Sequence, residues 1–436
     1  MKFGGTSVGS AQRMKNVTEL ILDNDKNLVV LSAMAGTTNS LIEISDYYAR
    51  GNRESASAVV NILRNKYLKH VDELYSREET KRQVNDFLES VFHEIMLLDA
   101  EPYTELIGKT IVSKGEIMST HMMAAYLEEL GVKATLLSAF NFMRIDEEGQ
   151  PDMKFLHDSL IPMLQHHSDT EIFITQGFIC LNSKGQIDNL QRGGSDFTAS
   201  LIGAAIRADE IQIWTDIDGM HNNDPRFVKN TQPVPQLSFE EAAELAYFGA
   251  KILHPTCVQP AKFAGIPVKL LNTMAPKAKG TVIDNHHSEE KRIKAIAAKD
   301  NITAVKIVSS RMLLATGFLR KVFEIFETYH TSIDMVTTSE VGISMSIDNT
   351  SRLSEITEEL RKYGTVVIDH NMCIICVVGD LRMQNTGIES LVTEAMKDIP
   401  IRMISYGGSD HNISFLIHED YKQQALQALS DRLFQS

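Results

Sequence analysis

The chain has 436 residues, of which 43% are hydrophobic, and its 43 Lys+Arg against 57 Asp+Glu give a net charge of −14. That length predicts two or three domains, and the acidic balance excludes a general nucleic-acid or anionic-membrane surface, so an anionic substrate would need a local basic pocket. No apolar run reaches the roughly 18 residues of a membrane span and no charged-then-apolar leader opens the chain, so a cytoplasmic enzyme is expected.

The first ten residues place Lys2, Gly4, Gly5, Thr6 and Ser7 in a turn with no bulky side chain at its centre. Such a turn brings backbone N–H groups close to an anion, and the lysine adds a full positive charge. Leu28 to Ala33 reads as a short buried parallel strand. A polar turn follows, and then a long helical region from about 40 to 131, with Gly131 as its stop. Further strands are predicted at 133–138, 171–175 and 211–215, with a hairpin turn at Asn182 to Gly185. Ser238-Phe-Glu-Glu241 is a capping box opening a helix through Tyr247. Strands alternating with helices imply a mainly parallel sheet covered on both faces.

The polar stretch Pro276 to Lys294 reads as a linker. Beyond it the order strand, helix, strand, strand, helix, strand occurs twice, over 302–368 and from Cys373 to the final helix, an approximate βαββαβ repeat. Such units bind small molecules or pair with one another. The cysteines are Cys180, Cys257, Cys373 and Cys376. Cys373 and Cys376 have redox-motif spacing, but in a strand residues three apart face opposite ways, so packed thiols are expected. His254 and Cys257 lack further ligands at zinc spacing.

Four more segments carry chemistry. Gln191-Arg-Gly-Gly-Ser-Asp196 feeds an alanine-rich helix, and a glycine turn at a helix N-terminus is an anion site. Arg192 could fork onto a carboxylate or phosphate, and Asp196 could orient a lysine or attract a metal; a capped helix with solvated charges is the alternative. Trp214-Thr-Asp-Ile-Asp-Gly219, followed by Asp224-Pro-Arg226, lies after a strand, where open α/β sheets bind ligands, although a plain turn-rich loop fits equally well. Lys251 follows a helix end and could contact a phosphate or simply cap the helix dipole. Glu116 lies within a helical region, where most glutamates face solvent, and residue chemistry alone does not select it.

Taken together, Lys-Phe-Gly-Gly-Thr-Ser, Arg-Gly-Gly-Ser-Asp, Trp-Thr-Asp-x-Asp-Gly with Asp-Pro-Arg, and Tyr-Phe-Gly-Ala-Lys-x-Leu-His-Pro occur here in an order that resembles the aspartokinases of the amino-acid kinase family. The resemblance covers nearly the whole chain. It implies a three-layer α/β kinase domain with a mainly parallel sheet over 1–284. It implies a linker over 285–300, where the 293–298 strand is a candidate for the second regulatory module, out of sequence order. Two ACT modules follow, a regulatory one over 301–370 and a dimerising one over 371–436.

The implied reaction is MgATP-dependent phosphorylation of the L-aspartate side chain. Lys2 would stabilise the phosphoryl group with the Gly4 and Gly5 N–H groups, and Asp196 would hold lysines in place. Glu116 would take the substrate ammonium and Arg192 its α-carboxylate, with Ser32, Thr38, Gly193, Gly194 and Ser195 lining the pocket. Thr215, Asp216, His221, Arg226 and Lys251 would serve ATP, with Mg²⁺ held by phosphates and water rather than by protein ligands. The family often has glycine at position 191 and tyrosine at position 221. Met312, Gly317, Phe318, Leu319, Ser332, Asp334, Ser339, Glu340 and Val341 resemble the first ACT module of lysine-inhibited members, so L-lysine is the implied inhibitor. A homodimer or dimer of dimers through the ACT modules is also implied. Other members of the family act on glutamate, acetylglutamate or a nucleotide, and a catalytically weak amino-acid sensor is the reading of a different class.

Overall fold

The computed structural model describes residues 1–22, 26–190, 193–249, 254–286, 292–312, 316–382 and 384–434. In chain order the first elements are β1 (Lys2–Phe3), α1 (Ala11–Leu22), β2 (Asn27–Leu31), α2 (Thr37–Ala49), α3 (Arg53–Leu74), α4 (Glu78–Leu97), α5 (Glu105–Glu129), β3 (Ala134–Leu137) and α6 (Met153–His166). They are followed by β4 (Ile172–Gln176), β5 (Ile179–Leu181), β6 (Ile187–Asn189), α7 (Gly194–Ile206), β7 (Ile211–Thr215), β8 (Gln236–Ser238), α8 (Phe239–Tyr247), α9 (Pro255–Ala264), β9 (Val268–Asn272) and β10 (Thr281–Asp284). The rest comprises β11 (Ile293–Val308), α10 (Phe318–Thr328), β12 (Met335–Thr338), β13 (Gly342–Ile347), α11 (Leu353–Arg361), β14 (Thr365–Gly379), α12 (Ile388–Ala395), β15 (Ile401–Tyr406), β16 (Asn412–His418) and α13 (Lys422–Leu433).

Two units form: residues 1–220 with 252–285, and residues 221–251 with 286–436. In the first, the strands run in the order β3-β4-β2-β1-β7-β9-β10. All pair in parallel except β10, which returns antiparallel against β9. Apolar residues of β1, β2, β4 and β7 pack with those of α1 to α5 in one core, and α7 lies against β1, β2 and β7. The central strands are therefore covered on both sides, which is why Val29, Val30 and Leu31 form a continuous apolar run with no alternation. Lys2 lies in the middle of this sheet, with parallel neighbours Val30 and Ile213. Among the described residues no helix is long and apolar enough to cross a membrane.

The second unit carries a sheet in the order β12-β13-β11-β14-β16-β15. The two βαββαβ modules are interleaved. The strands expected at 293–298 and 302–308 are a single strand, β11, with register shifts between Lys299 and Ala304. Likewise those at 365–368 and 373–378 form one strand, β14. The front half of β11 pairs with the back half of β14. The polar stretch 276–294 is not all linker, because Thr281–Asp284 forms β10. All four cysteines are buried and unpaired.

Residues 221–251, placed by sequence with the kinase domain, group with the second unit. Val228 is buried with Ile293, Cys373 and Phe415 in one core. The Asn223 side chain donates to the Leu426 carbonyl (3.0 Å) and the Ile296 N–H to the Asn222 carbonyl (2.9 Å). A charge placed in that core is taken out of water, which costs about 3 kcal/mol or more. We therefore expect Val228→Asp to destabilise the second unit by about that amount, measured by hydrogen exchange at β14 and β16. Wild-type protection there would refute the grouping.

Candidate active site

A cavity of about 490 Å³ opens at the carboxyl ends of β1 and β2, lined by Lys2, Gly5, Thr6, Ser32, Met34, Gly36, Thr38, Asn39, Glu116, Phe178 and Gly193 to Asp196. The Lys2 Nζ is 2.6 Å from Asp196 Oδ1, with the two side chains 11% and 14% exposed. Two helices start at this cavity, α2 and α7. Each is entered through a glycine in the left-handed region, Gly36 at φ 80° and Gly193 at φ 75°, and neither has a capping side chain. Glycine takes that conformation without steric penalty. The first-turn N–H groups of an uncapped helix have no intrahelical acceptor, and two helix dipoles add their positive ends. The result is a site for anions built from one ammonium and two sets of oriented amides.

The structure brings together Lys2, Gly5, Ser32, Thr38, Glu116, Gly193, Gly194, Ser195 and Asp196 along this cavity. Gly4 is a correction. Its N–H donates to the Trp214 carbonyl (3.2 Å), extending the pairing of β1 with β7, and so it is committed within the fold. Gln191, Arg192 and Lys251 lie outside the described residues. Thr215 ends β7 and Asp216 follows it, and the threonine hydroxyl donates to the Asp216 carboxylate (3.2 Å). His221 and Arg226 belong to the second unit; the His221 Nδ1 meets the Thr231 hydroxyl (3.0 Å) and Arg226 pairs with Asp224 (2.6 Å).

Among the expected effector residues, Met312 packs against the first module's core and Phe318 is part of it. Gly317 caps α10. Ser332 is exposed and Ser339 to Val341 form the exposed β12–β13 turn, as Leu319 lies exposed on α10. The Asp334 side chain is 1% exposed, and its Oδ1 already holds Lys299 Nζ (2.6 Å) and the Tyr247 hydroxyl (2.7 Å). Asp334 is thus neutralised from within its own unit. Glu340 has no ion pair among the described residues. Phe178, at φ 68°, lines the cavity and has no motif to announce it.

The amino acid kinase family model matches residues 1–272, and an ACT domain model matches residues 375–433. The chain is 37% identical to Aspartokinase 1, chloroplastic, of Arabidopsis thaliana, over all of this chain and 80% of that one. It is 33% identical to the Lysine-sensitive aspartokinase 3 of Escherichia coli, over all of this chain and 98% of that one. Among solved structures, E. coli aspartokinase III in complex with aspartate and ADP (R-state) superposes with a TM-score of 0.88 at 32% identity, covering 100% of this chain and 99% of that one. The same enzyme in complex with lysine and aspartate (T-state) gives 0.82 at 32% identity and the same coverage.

Glu116 is the electrostatic anomaly of the cavity. It is 3% exposed, one carboxylate oxygen accepts from the Ala33 N–H (3.1 Å), and the other has no partner. Burial pushes its carboxyl up to about 7, against the pull of the backbone donors. Between its ordinary range and about 7 the folded chain binds the extra proton, so rising pH through that window weakens the fold. Glu116→Gln keeps an acceptor for Ala33 and removes the buried charge. It is expected to be more stable than wild type above pH 7, by roughly 1–3 kcal/mol, with the difference gone near pH 4. Urea unfolding at the two pH values measures this, and a variant less stable than wild type at high pH would contradict the burial account.

Proposed function

The chain belongs to the amino acid kinase family, as an aspartokinase, and from that premise we propose that the cavity of Lys2, Glu116 and Asp196 is where L-aspartate meets MgATP. A side-chain carboxylate is ionised near neutral pH and needs no general base. One of its oxygens forms a bond to the γ-phosphorus, and the bond from that phosphorus to the β,γ-bridging oxygen breaks. The products are 4-phospho-L-aspartate and ADP, and no proton moves. The barrier is the approach of an anion to a polyanion, so positioning and positive electrostatics supply the catalysis.

Lys2 neutralises the migrating phosphoryl group, and Asp196 fixes that ammonium in place. The Gly5 N–H and the first turn of α7 add oriented donors. Glu116 receives the substrate ammonium, which supplies the cation its buried carboxylate lacks. Arg192 takes the α-carboxylate, with Ser32, Thr38, Gly193, Gly194 and Ser195 around it. Thr215, at the end of β7, and Asp216 after it serve the nucleotide. Among the described residues no group of three His, Cys, Asp or Glu could cage a metal. Mg²⁺ dehydrates reluctantly, so it is carried on the nucleotide's phosphates and waters. The observation that carries this reading is the 2.6 Å contact between Lys2 and Asp196 beside a buried, under-coordinated glutamate.

Feedback by L-lysine through the first ACT module belongs to the same proposal, supported by likeness to a relative named lysine-sensitive. Glu340 is the exposed carboxylate assigned to a dibasic ligand, with Met312, Gly317, Phe318, Leu319, Ser332, Ser339 and Val341 as the other residues assigned to it by the resemblance. Asp334 would serve a ligand only after releasing Lys299. Assembly as a homodimer or dimer of dimers through the ACT modules, in the cytoplasm, completes it.

Hydroxylamine traps acyl phosphates, so protein, MgATP and L-aspartate should yield a hydroxamate, with no product when glutamate replaces aspartate. Product from glutamate alone would reassign the enzyme within its family, and ligand binding without turnover would make it a sensor. In that assay Lys2→Ala is expected to lose roughly 10²–10³ in kcat, and near-normal turnover would remove Lys2 from its role. Added L-lysine should inhibit wild type, with Glu340→Ala several-fold less sensitive; an unchanged inhibition constant would count against Glu340.

A further inference from the structure

One face of α3 carries three side chains that reach the turns walling the cavity. Lys66 Nζ donates to the Ala35 carbonyl at 2.5 Å. The Tyr67 hydroxyl meets the Thr37 hydroxyl at 3.1 Å, at the first residue of α2. His70 Nε2 lies 3.2 Å from the Gly9 carbonyl, with its Nδ1 2.9 Å from the Lys66 carbonyl. From α1, Arg13 donates to the Thr6 carbonyl at 2.8 Å. The cations of this set thus face main-chain carbonyls of the two turns, and neither Arg13 nor Lys66 has a carboxylate partner among the described residues.

Lysines with no carboxylate partner normally extend into water. Lys66 instead is partly buried, and that burial lowers its pKa from the ordinary lysine range. The side chain lies against Gly36, whose added Cβ would be 3.7 Å from Nζ. Peptide planarity makes the consequence definite. With the Ala35 carbonyl held toward α3, the Gly36 N–H of the same peptide points away from α3. Gly36 and the α2 residues Thr38 and Asn39 line the cavity.

We propose that Lys66 is a positioning residue for the substrate side of this cavity: it holds the Ala35 carbonyl on the α3 side and so fixes the 35–39 turn in its anion-accepting conformation. The assignment rests on the reading of the cavity as the aspartate site. Lys66 touches neither reacting group; it acts through the turn. Ser32 and Thr38, which lie on either side of the Ala35 carbonyl in sequence and line the cavity, belong to the aspartate pocket in that reading, so its influence falls on aspartate.

Steady-state kinetics on the full chain separate the two substrates. Lys66→Met is expected to raise KM for L-aspartate about tenfold, the scale of one charge-assisted hydrogen bond, with KM for MgATP within about twofold of wild type. Lys66→Arg, which restores a cationic donor, is expected to recover most of the loss. A role in stability alone would move both constants together and respond to neither donor chemistry nor substrate identity. The assignment is overturned if Lys66→Met leaves KM for aspartate unchanged, or raises both constants alike with no rescue by arginine. Should Lys66→Met fold poorly, Lys66→Gln gives the same comparison with a polar side chain. Wild-type protein with no aspartate-dependent turnover overturns the functional reading itself, a result distinct from an active wild type with an indifferent variant.

Discussion

The ion pair between Lys2 and Asp196 is the contact on which the rest depends. It joins the first strand of the chain to the first turn of α7, and both partners are largely removed from water. Desolvating two charges commonly offsets what their attraction returns, so a buried pair is a poor device for stability alone. What it does fix is position. Lys2 sits on a strand hydrogen-bonded on both sides, and Asp196 sits on a helix packed against that same sheet. The ammonium is therefore aimed by rigid elements on both flanks, as its proposed meeting with a moving phosphoryl unit requires.

The sheet and its helices were legible because periodicity and punctuation act locally. Leu28 to Ala33, Ile211 to Thr215 and the Ser238 capping box all depend on near neighbours, and each forms where expected. What was not legible depends on distant partners. Thr281–Asp284 is polar at its margins and becomes a strand because β9 offers an edge. The continuity of β11 and of β14 reflects pairing between two modules, which no window of sequence contains. The grouping of 221–251 is of the same kind, since Val228 is apolar in any context and its core is assembled from residues far along the chain.

The site divides in the same way. Glycine turns carrying Lys2, Arg192 and Asp196 announce anion handling through residue type. Glu116 does not, because a glutamate in a helix looks alike whether buried or solvated; only the resemblance selected it. Phe178 depends on a left-handed turn that its sequence does not signal. Lys66 and His70 share a helix face with many exposed charges, and their separate character lies in the carbonyls they meet. Asp334 shows the reverse limit. Its residue type suits an ammonium, and it has one, supplied by Lys299 of the same unit. A ligand competing for that carboxylate would have to displace an internal cation, which couples any such binding to the packing of Tyr247 and hence of α8.

An acidic chain that brings two anions together cannot rely on its net charge, which repels both. It relies on direction. Two uncapped helix starts face the same cavity, and each supplies positive potential that decays within about a turn. The 35–39 and glycine-rich turns work only if their carbonyls face elsewhere, since a peptide presents either end of its dipole. Arg13 and Lys66 occupy those carbonyls from behind. On the proposed reading the cations of this region act in two layers: Lys2 faces the chemistry directly, and those behind the turns set which end of the backbone the substrate meets. Local arrangement of dipoles, with few formal charges, reconciles a net charge of −14 with a site for phosphate and carboxylate.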